Sequence, residues 1–210
     1  MYAFKNSITR LSRYKGALKR LKTIGVVKVF ADNLADASGV TPAQVRKDFS
    51  IFGITGNKKG GYQIDELLND IEKLLCKDKV HSVIVVGYGN IGSSLVKYTG
   101  FEKENIRIIA AFDPDVNKQN PESTVPVFSI PEMPEFIRQN KVKLAILAAP
   151  AVAAQETLDI MVNSGVRGVL NFSPVTLRAP DDVYINYVDL EMELETIIFY
   201  VNSDKGQNHG

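Results

Sequence analysis

Apolar residues in the first 75 positions recur every three or four places. Ile8, Leu11, Tyr14, Leu18, Leu21 and Ile24 form one such stripe, and Ser7 ahead of it predicts a capped helix from about Ile8 to Ile24, stopped at Gly25. A short VVKVF stretch follows. Leu34, Ala35 and Ala37 then mark a short helix ended by Gly39. In TPAQVRKDFSIFG, Thr41 and Gln44 make a capping box and Pro42 takes the first helical position. Val45, Phe49 and Phe52 supply the buried stripe of this third helix, and Gly53 ends it. ITGNKKGGYQI carries a Gly/Asn-rich turn flanked by Ile54 and by Tyr62 and Ile64, which predicts a hairpin with Lys58 and Lys59 at its tip. Asp65 is placed to cap a helix built on Leu67, Leu68, Ile71, Leu74 and Leu75.

From Ser82 the period changes. The runs SVIVVG, IRIIAAF, VPVF, KLAILAA, VRGVLNF and VYINYV alternate with helical segments at about 90–98, 132–139, 152–163 and 189–201. Buried β-rich runs alternating with helices predict an α/β fold with a doubly wound parallel sheet. Lys77–Lys79 is the expected linker. The expected organisation is a helical domain over 1–79, a doubly wound Rossmann domain over 80–188, a C-terminal helix over 189–202 and a disordered tail over 203–210. No apolar run approaches the ~20 residues that span a bilayer, and the N-terminus has no compact apolar segment of a signal peptide. Cys76 is the single cysteine, which excludes internal disulfides and clustered-cysteine zinc sites. A cytoplasmic location is expected.

Charge changes the picture. Residues 1–60 hold 12 Lys+Arg and 3 Asp+Glu, a net of +9, whereas residues 61–210 hold 13 and 21, a net of −8. The basic third reads as a polyanion binder. Three helices followed by a hairpin with a basic tip make a winged helix. Its second paired helix enters the major groove by its N-terminal residues. That presents Ala43, Gln44, Arg46 and Lys47, with Ser50 on the same side. Arg or Lys bonds guanine O6/N7, and Gln bonds adenine N6/N7. Lys58 and Lys59 would reach the adjacent minor groove or phosphate.

Gly87, Gly89 and Gly92 follow the strand Val83–Val86 and open a helix, and Asp113 ends the next apolar run 21 positions beyond Gly92. This is the dinucleotide pattern: one glycine for the turn, one for approach of the pyrophosphate, one for close helix packing. Tyr88, Asn90 and Ile91 complete the turn, whose helix start offers amides to phosphate. Asp113 would take the adenosine ribose hydroxyls and repel a 2′-phosphate, favouring NAD(H). The parts of a dehydrogenase are missing. The histidines are His81, at the far end of the first strand, and His209, in the tail. Tyr98 is followed at the Tyr-x-x-x-Lys spacing by Glu102, and nothing between 80 and 200 is left over for a substrate pocket. A regulator rather than an enzyme is expected. Its rivals are an NAD-dependent oxidoreductase with a fused basic accessory domain, and a nucleotide-binding module whose basic domain contacts protein or membrane.

TPAQVRKDFSIFG, GGYQIDELL, VGYGNIG, YTGF, AAFDPD, AAPAVAAQ, GVLNFSPV and YVDLEMEL occur in that order between residues 7 and 201. Together they resemble the Rex family of redox-sensing transcriptional repressors. The resemblance implies a homodimer on a palindromic double-stranded operator, released when NADH rises against NAD. It makes Arg46 and Lys47 groove contacts and Lys58, Lys59 and Gly60 the wing. It assigns NADH to Gly87–Gly92, Asp113 and Pro150, with Tyr98, Asn171, Phe172, Ser173 and Pro174 toward the nicotinamide. It also implies that Tyr98 and Asp189 couple the domains and that the helix from Asp189 is exchanged between subunits. Independently, Leu190, Leu194, Ile197, Ile198 and Val201 give that helix one apolar face. The same face also suits packing on its own sheet, so both arrangements stay open. Four positions depart from the family pattern: Ile51 for tyrosine, NKKGGY in the wing, Ser173 for alanine, and Gly16 for an arginine implied to bond Tyr98 and Asp189.

Overall fold

The two periodicities become two units, residues 1–79 and 80–210, in the computed structural model, which describes residues 2–55 and 60–203. The first unit runs α1 (Tyr2–Thr23), β1 (Lys28–Val29), α2 (Ala31–Ser38), α3 (Pro42–Ile51), β2 (Tyr62–Gln63) and α4 (Ile64–Leu74). Leu11, Tyr14, Leu18, Leu34, Val45, Phe49, Ile64 and Ile71 close its core, as the helical stripes require. Phe49 sits edge-on to both Tyr14 and Tyr62, at centroid distances of 5.8 and 5.1 Å.

Three details differ from the expectations. Ser7 lies inside α1, buried, because its hydroxyl accepts from Arg10 Nη2 at 3.0 Å and is not spent on a cap. The expected hairpin is replaced by a longer-range pair: Tyr62 lies opposite Val29 and Gln63 opposite Lys28, antiparallel, while Ile54 is buried in the core. Gly61 permits this pairing. Its φ is +69°, and a Cβ there would stand 2.8 Å from the Val29 carbonyl oxygen. Finally, α4 starts at Ile64 with Gln63 as its N-cap residue, so Asp65 sits in the first turn, where its charge favours the helix N-terminus.

The second unit runs β3 (His81–Val86), α5 (Asn90–Val96), β4 (Ile106–Phe112), β5 (Val127–Phe128), α6 (Met133–Gln139), β6 (Leu144–Leu147), α7 (Ala151–Ser164), β7 (Gly168–Asn171), β8 (Tyr184–Tyr187) and α8 (Leu190–Ser203). The strands form one parallel sheet in the order β5-β4-β3-β6-β7-β8. Alternate residues feed the two faces. Ile84, Val86, Phe112 and Leu147 join one core, and Val83, Val85, Ala111 and Ile146 the other. Strand order reverses between β3 and β6, which opens a crevice at their C-terminal ends.

α5 stops at Val96, short of Tyr98, as Tyr98 N–H turns back to the Leu95 carbonyl at 3.1 Å. Asp189 is outside α8 and caps it, with Oδ1 accepting from Met192 N–H at 3.0 Å. No residue of α8 is buried, and its apolar side chains from Leu190 to Val201 are each more than half exposed. The helix therefore does not cover its own sheet. Ser203 ends α8 and does not begin a tail; residues 204–210 lie outside the described residues, as does His209.

Candidate nucleic-acid interface and dinucleotide site

Burial of Val45, Asp48 and Phe49 turns the opposite side of α3 outward, exposing Ala43, Arg46, Lys47 and Ser50. Thr41 accepts from Gln44 N–H at 3.2 Å, so half of the expected capping box forms. The Gln44 side chain does not return to Thr41. Its Nε2 donates to Asp48 Oδ1 at 2.9 Å.

Asp48 is fully buried and is the acceptor for a cluster. Arg10 donates to it from Nε at 2.6 Å and from Nη2 at 2.7 Å, and the Tyr14 hydroxyl donates at 2.7 Å. Burial alone raises a carboxyl pKa, but the bonds from Arg10, Tyr14 and Gln44 outweigh it and hold Asp48 below its ordinary value. Burial, then the Asp48 carboxylate, pushes the Tyr14 phenol well up. The cluster ties α3 to α1 and fixes the Gln44 amide, since only its NH₂ can face a carboxylate.

Other cations are matched inside the unit. Lys19 pairs with Glu72 at 3.2 Å and Lys22 with Asp65 at 2.7 Å. The unit as folded extends to residue 79 and holds 15 basic and 8 acidic residues, a net of +7. Lys58 and Lys59 lie outside the described residues, while Gly60 stands in the turn before β2. Ile51, where the family pattern has tyrosine, is exposed. At Gly16 a guanidinium is supplied from the next turn of α1. Arg20 Nη1 stands 3.5 Å from where a residue-16 Cβ would be, and its Nη2 donates to the Ala37 carbonyl at 3.2 Å.

In the second unit the glycine turn sits at the crevice. Gly87 has φ +94°, and a Cβ there would lie 2.5 Å from the Ala148 carbonyl oxygen. A Cβ on Gly92 would lie 1.9 Å from the Gly87 carbonyl oxygen. These two glycines are demanded by the turn itself. Gly89 differs: its Cβ would meet nothing within 4 Å, so that space is open to a ligand.

The turn separates two cavities. One, of about 540 Å³, is lined by Tyr88, Gly89 and Asn90 with Asn117, Lys118 and Gln119. The other, of about 490 Å³, is lined by Ile91, Asn171–Pro174 and Asp189 among others. Asp113 is buried beside the first. Its carboxylate accepts from Tyr88 N–H at 2.7 Å and Asp115 N–H at 2.9 Å, and Lys118 Nζ stands 3.3 Å away. Asp113 thus holds the glycine turn from a buried position, with lone-pair capacity left for a further donor. Lys118 offsets part of its charge.

In the second cavity, Asn171 Oδ1 accepts from Ser173 N–H at 2.9 Å, and the Ser173 hydroxyl donates to the Ala149 carbonyl at 2.7 Å. That bond joins the loops after β6 and β7 and leaves Ser173 only lone pairs to offer. Pro150 begins α7 from the same β6 loop. Tyr98 does not line this cavity. It lines a smaller one with Val96 and Phe101, its ring edge-on to Phe101 at 5.0 Å and folded over Gly100, where a Cβ would lie 2.3 Å from the ring.

Sequence reasoning missed Asp48, Arg10 and Tyr14 as the anchor of α3, Asp32 as the partner of Arg46 at 3.0 Å, and Lys118 as the partner of Asp113. The only local signal was DPDVNKQN, a polar turn directly after the acidic end of β4.

A family model described as "CoA binding domain" matches residues 78–175, and one described as "Putative DNA-binding protein N-terminus" matches residues 5–50. The chain is 40 % identical to the redox-sensing transcriptional repressor Rex of Lactobacillus gasseri, over 97 % of this chain and 96 % of that one. It is 37 % identical to the Rex repressor of Streptococcus agalactiae, over 96 % of each. Among solved structures it is similar to RSP in complex with β-NAD⁺ and operator DNA, with a TM-score of 0.90 and 33 % identity over 97 % of each chain. RSP in complex with β-NADH gives 0.86 and 32 %, over 96 % of this chain and 95 % of that one. With that identity held across nearly its whole length, the chain belongs to the Rex family.

Proposed function

We propose that this chain is a redox-sensing repressor that grips operator DNA through α3 and the following wing and releases it when NADH fills the crevice of the second unit. The observation that carries the reading is the open space at Gly89, at the switch point of a sheet whose chain also carries an outward-facing Arg46 and Lys47. The solved relative RSP was captured with operator DNA and β-NAD⁺, and separately with β-NADH.

In this reading Gly87–Gly92 cradle the pyrophosphate and Asp113 takes the ribose hydroxyls. The nicotinamide lies along Asn171–Pro174, where Phe172 and Val175 line the cavity. Reduction of the coenzyme replaces a cationic ring with a neutral one, and apolar walls favour the neutral form. The lone pairs of Ser173 favour the cation and temper that preference. An effector shifts the DNA-competent form only by its difference in affinity for the two forms. A coupling of ~1–3 kcal/mol relieves DNA binding roughly 5- to 150-fold. No substrate chemistry is assigned: the residues act by binding, not by moving protons. The exposed apolar helix α8 is shared with a second copy, giving a homodimer whose two α3 helices meet the two halves of a palindrome. A cytoplasmic, DNA-associated location follows from that role.

Two substitutions test the assignment in gel retardation with an operator duplex. Gly89→Val puts a side chain into the open space, where its Cβ meets nothing within 4 Å, so the duplex stays bound at NADH concentrations that release the wild type. Arg46→Ala weakens specific binding by about 1–3 kcal/mol, the worth of one good base contact, with NADH affinity unchanged. Steady NADH consumption with a small carbonyl compound, or DNA binding indifferent to NADH in the wild type, overturns the reading.

A further inference from the structure

The outward side of α3 carries one ion pair that the fold does not need. Arg46 on α3 and Asp32 on α2 are both exposed, and Arg46 Nη2 donates to Asp32 Oδ1 at 3.0 Å. Water competes for both ends of such a pair, so it contributes little to holding α2 against α3. Its effect on recognition is larger. A free arginine side chain spreads over many rotamers and gives up that freedom when it meets a base edge. Anchored through one of its five N–H donors, Arg46 keeps four, enough for the paired donors that face guanine O6 and N7.

The pair lies at a concave part of the surface, a cavity of about 640 Å³ lined also by Phe30, Ser50, Gly53 and Tyr62. On the same helix Gln44 is held by Asp48 at 2.9 Å. Two polar side chains of the helix are therefore fixed by carboxylates before any DNA arrives. The two carboxylates are not equivalent. Asp48 is buried and shielded, whereas Asp32 is exposed and its charge reaches the approaching phosphates.

We propose that Asp32 is a specificity-determining residue of the DNA-reading surface, orienting Arg46 for guanine while lowering affinity for duplex phosphates in general. This rests on α3 being the groove-reading helix. Asp32 lowers affinity for every duplex through phosphate repulsion, and only where Arg46 engages is that loss offset by a contact already in place. The repulsion is common to all duplexes and cancels from their ratio, so discrimination comes from the ordering of Arg46, which gains only where a guanine meets it.

The test uses the full chain and two duplexes of equal length: one selected by the wild type from a random-sequence pool, and a random-sequence one. The readout is the ratio of their dissociation constants at fixed salt. Asp32→Ala tightens binding to the random duplex and lowers the ratio about 2- to 10-fold, the worth of ordering one rotamer-rich side chain. Asp32→Asn keeps an acceptor for Arg46 without the charge. It tightens both duplexes and retains more of the ratio than Asp32→Ala. In an Arg46→Ala background, Asp32→Ala leaves the ratio unchanged. Melting curves of the Asn variant that match the wild type show that the fold is kept. Equal tightening on both duplexes, with the ratio intact in Asp32→Ala, overturns the proposal while leaving α3 as the reading helix. Failure of the wild type to select any sequence overturns the reading beneath it, and the proposal with it.

Discussion

Asp48→Asn lowers the stability of the first unit by about 3 kcal/mol at neutral pH, because Arg10 loses the carboxylate it was folded against. For a unit of this size that is on the order of 10–20 °C in melting temperature. DNA binding falls with it, since α3 is tied to α1 through this cluster, while NADH binding to the second unit stays near wild type. The pH dependence has a definite sign. The folded Asp48 carboxyl lies below its ordinary value of 3.8, so its contribution is fully present above that value. It is lost as pH falls through the folded value. The first melting transition of the wild type therefore drops below about pH 4, and in Asp48→Asn that acid-sensitive part is gone. Thermal unfolding followed by far-ultraviolet circular dichroism across this range checks both statements. An Asp48→Asn variant as stable as the wild type would remove the cluster from the account of α3.

On the proposed homodimer, replacing Leu194 and Ile198 together with Glu is expected to leave a folded second unit and abolish the pairing of chains. The two residues are four apart on one side of α8, exposed in the single chain, and pack against no part of their own sheet. Tethered binding to two half-sites then becomes independent binding to one. Avidity of this kind is worth roughly 10²- to 10⁴-fold, and the affinity for a palindromic operator drops by that order. Binding of NADH to the separated chain reports that the crevice is intact. Sedimentation velocity reads the state of association directly. A Glu-substituted chain that still sediments as a pair would mean that some other surface joins the subunits.

Much of the sheet was legible because its central strands β3, β4 and β6 end in buried residues that serve both faces and read as continuous apolar sequence, so VIVVG and IIAAF needed no context, whereas the edge strand β8 buries no residue. The glycine turn was equally plain, since a required backbone shape leaves few residue choices. What stayed hidden depends on partners distant in sequence. Nothing near Tyr62 says that it lies opposite Val29, and the local turn composition pointed to Ile54 instead. Asp48 sits in QVRKDF between a lysine and a phenylalanine and reads as surface. Only Arg10, 38 residues earlier, explains a carboxylate at a buried position. Lys118 next to Asp113 is a turn contact, set by side-chain direction and not by periodicity. The apolar stripe of α8 was visible, but its surroundings are a property of the folded chain and not of the stripe.

On the proposed pairing of two copies through α8, that fourteen-residue helix also ties gene control to supply. A solitary subunit keeps all of that oily surface in water, and mass action makes the paired form scale with the square of how much protein is made. Sparse synthesis would leave promoters open whatever the coenzyme ratio, and abundant synthesis would close them until metabolism pushes harder. The copy number of the regulator becomes a second dial on the same circuit.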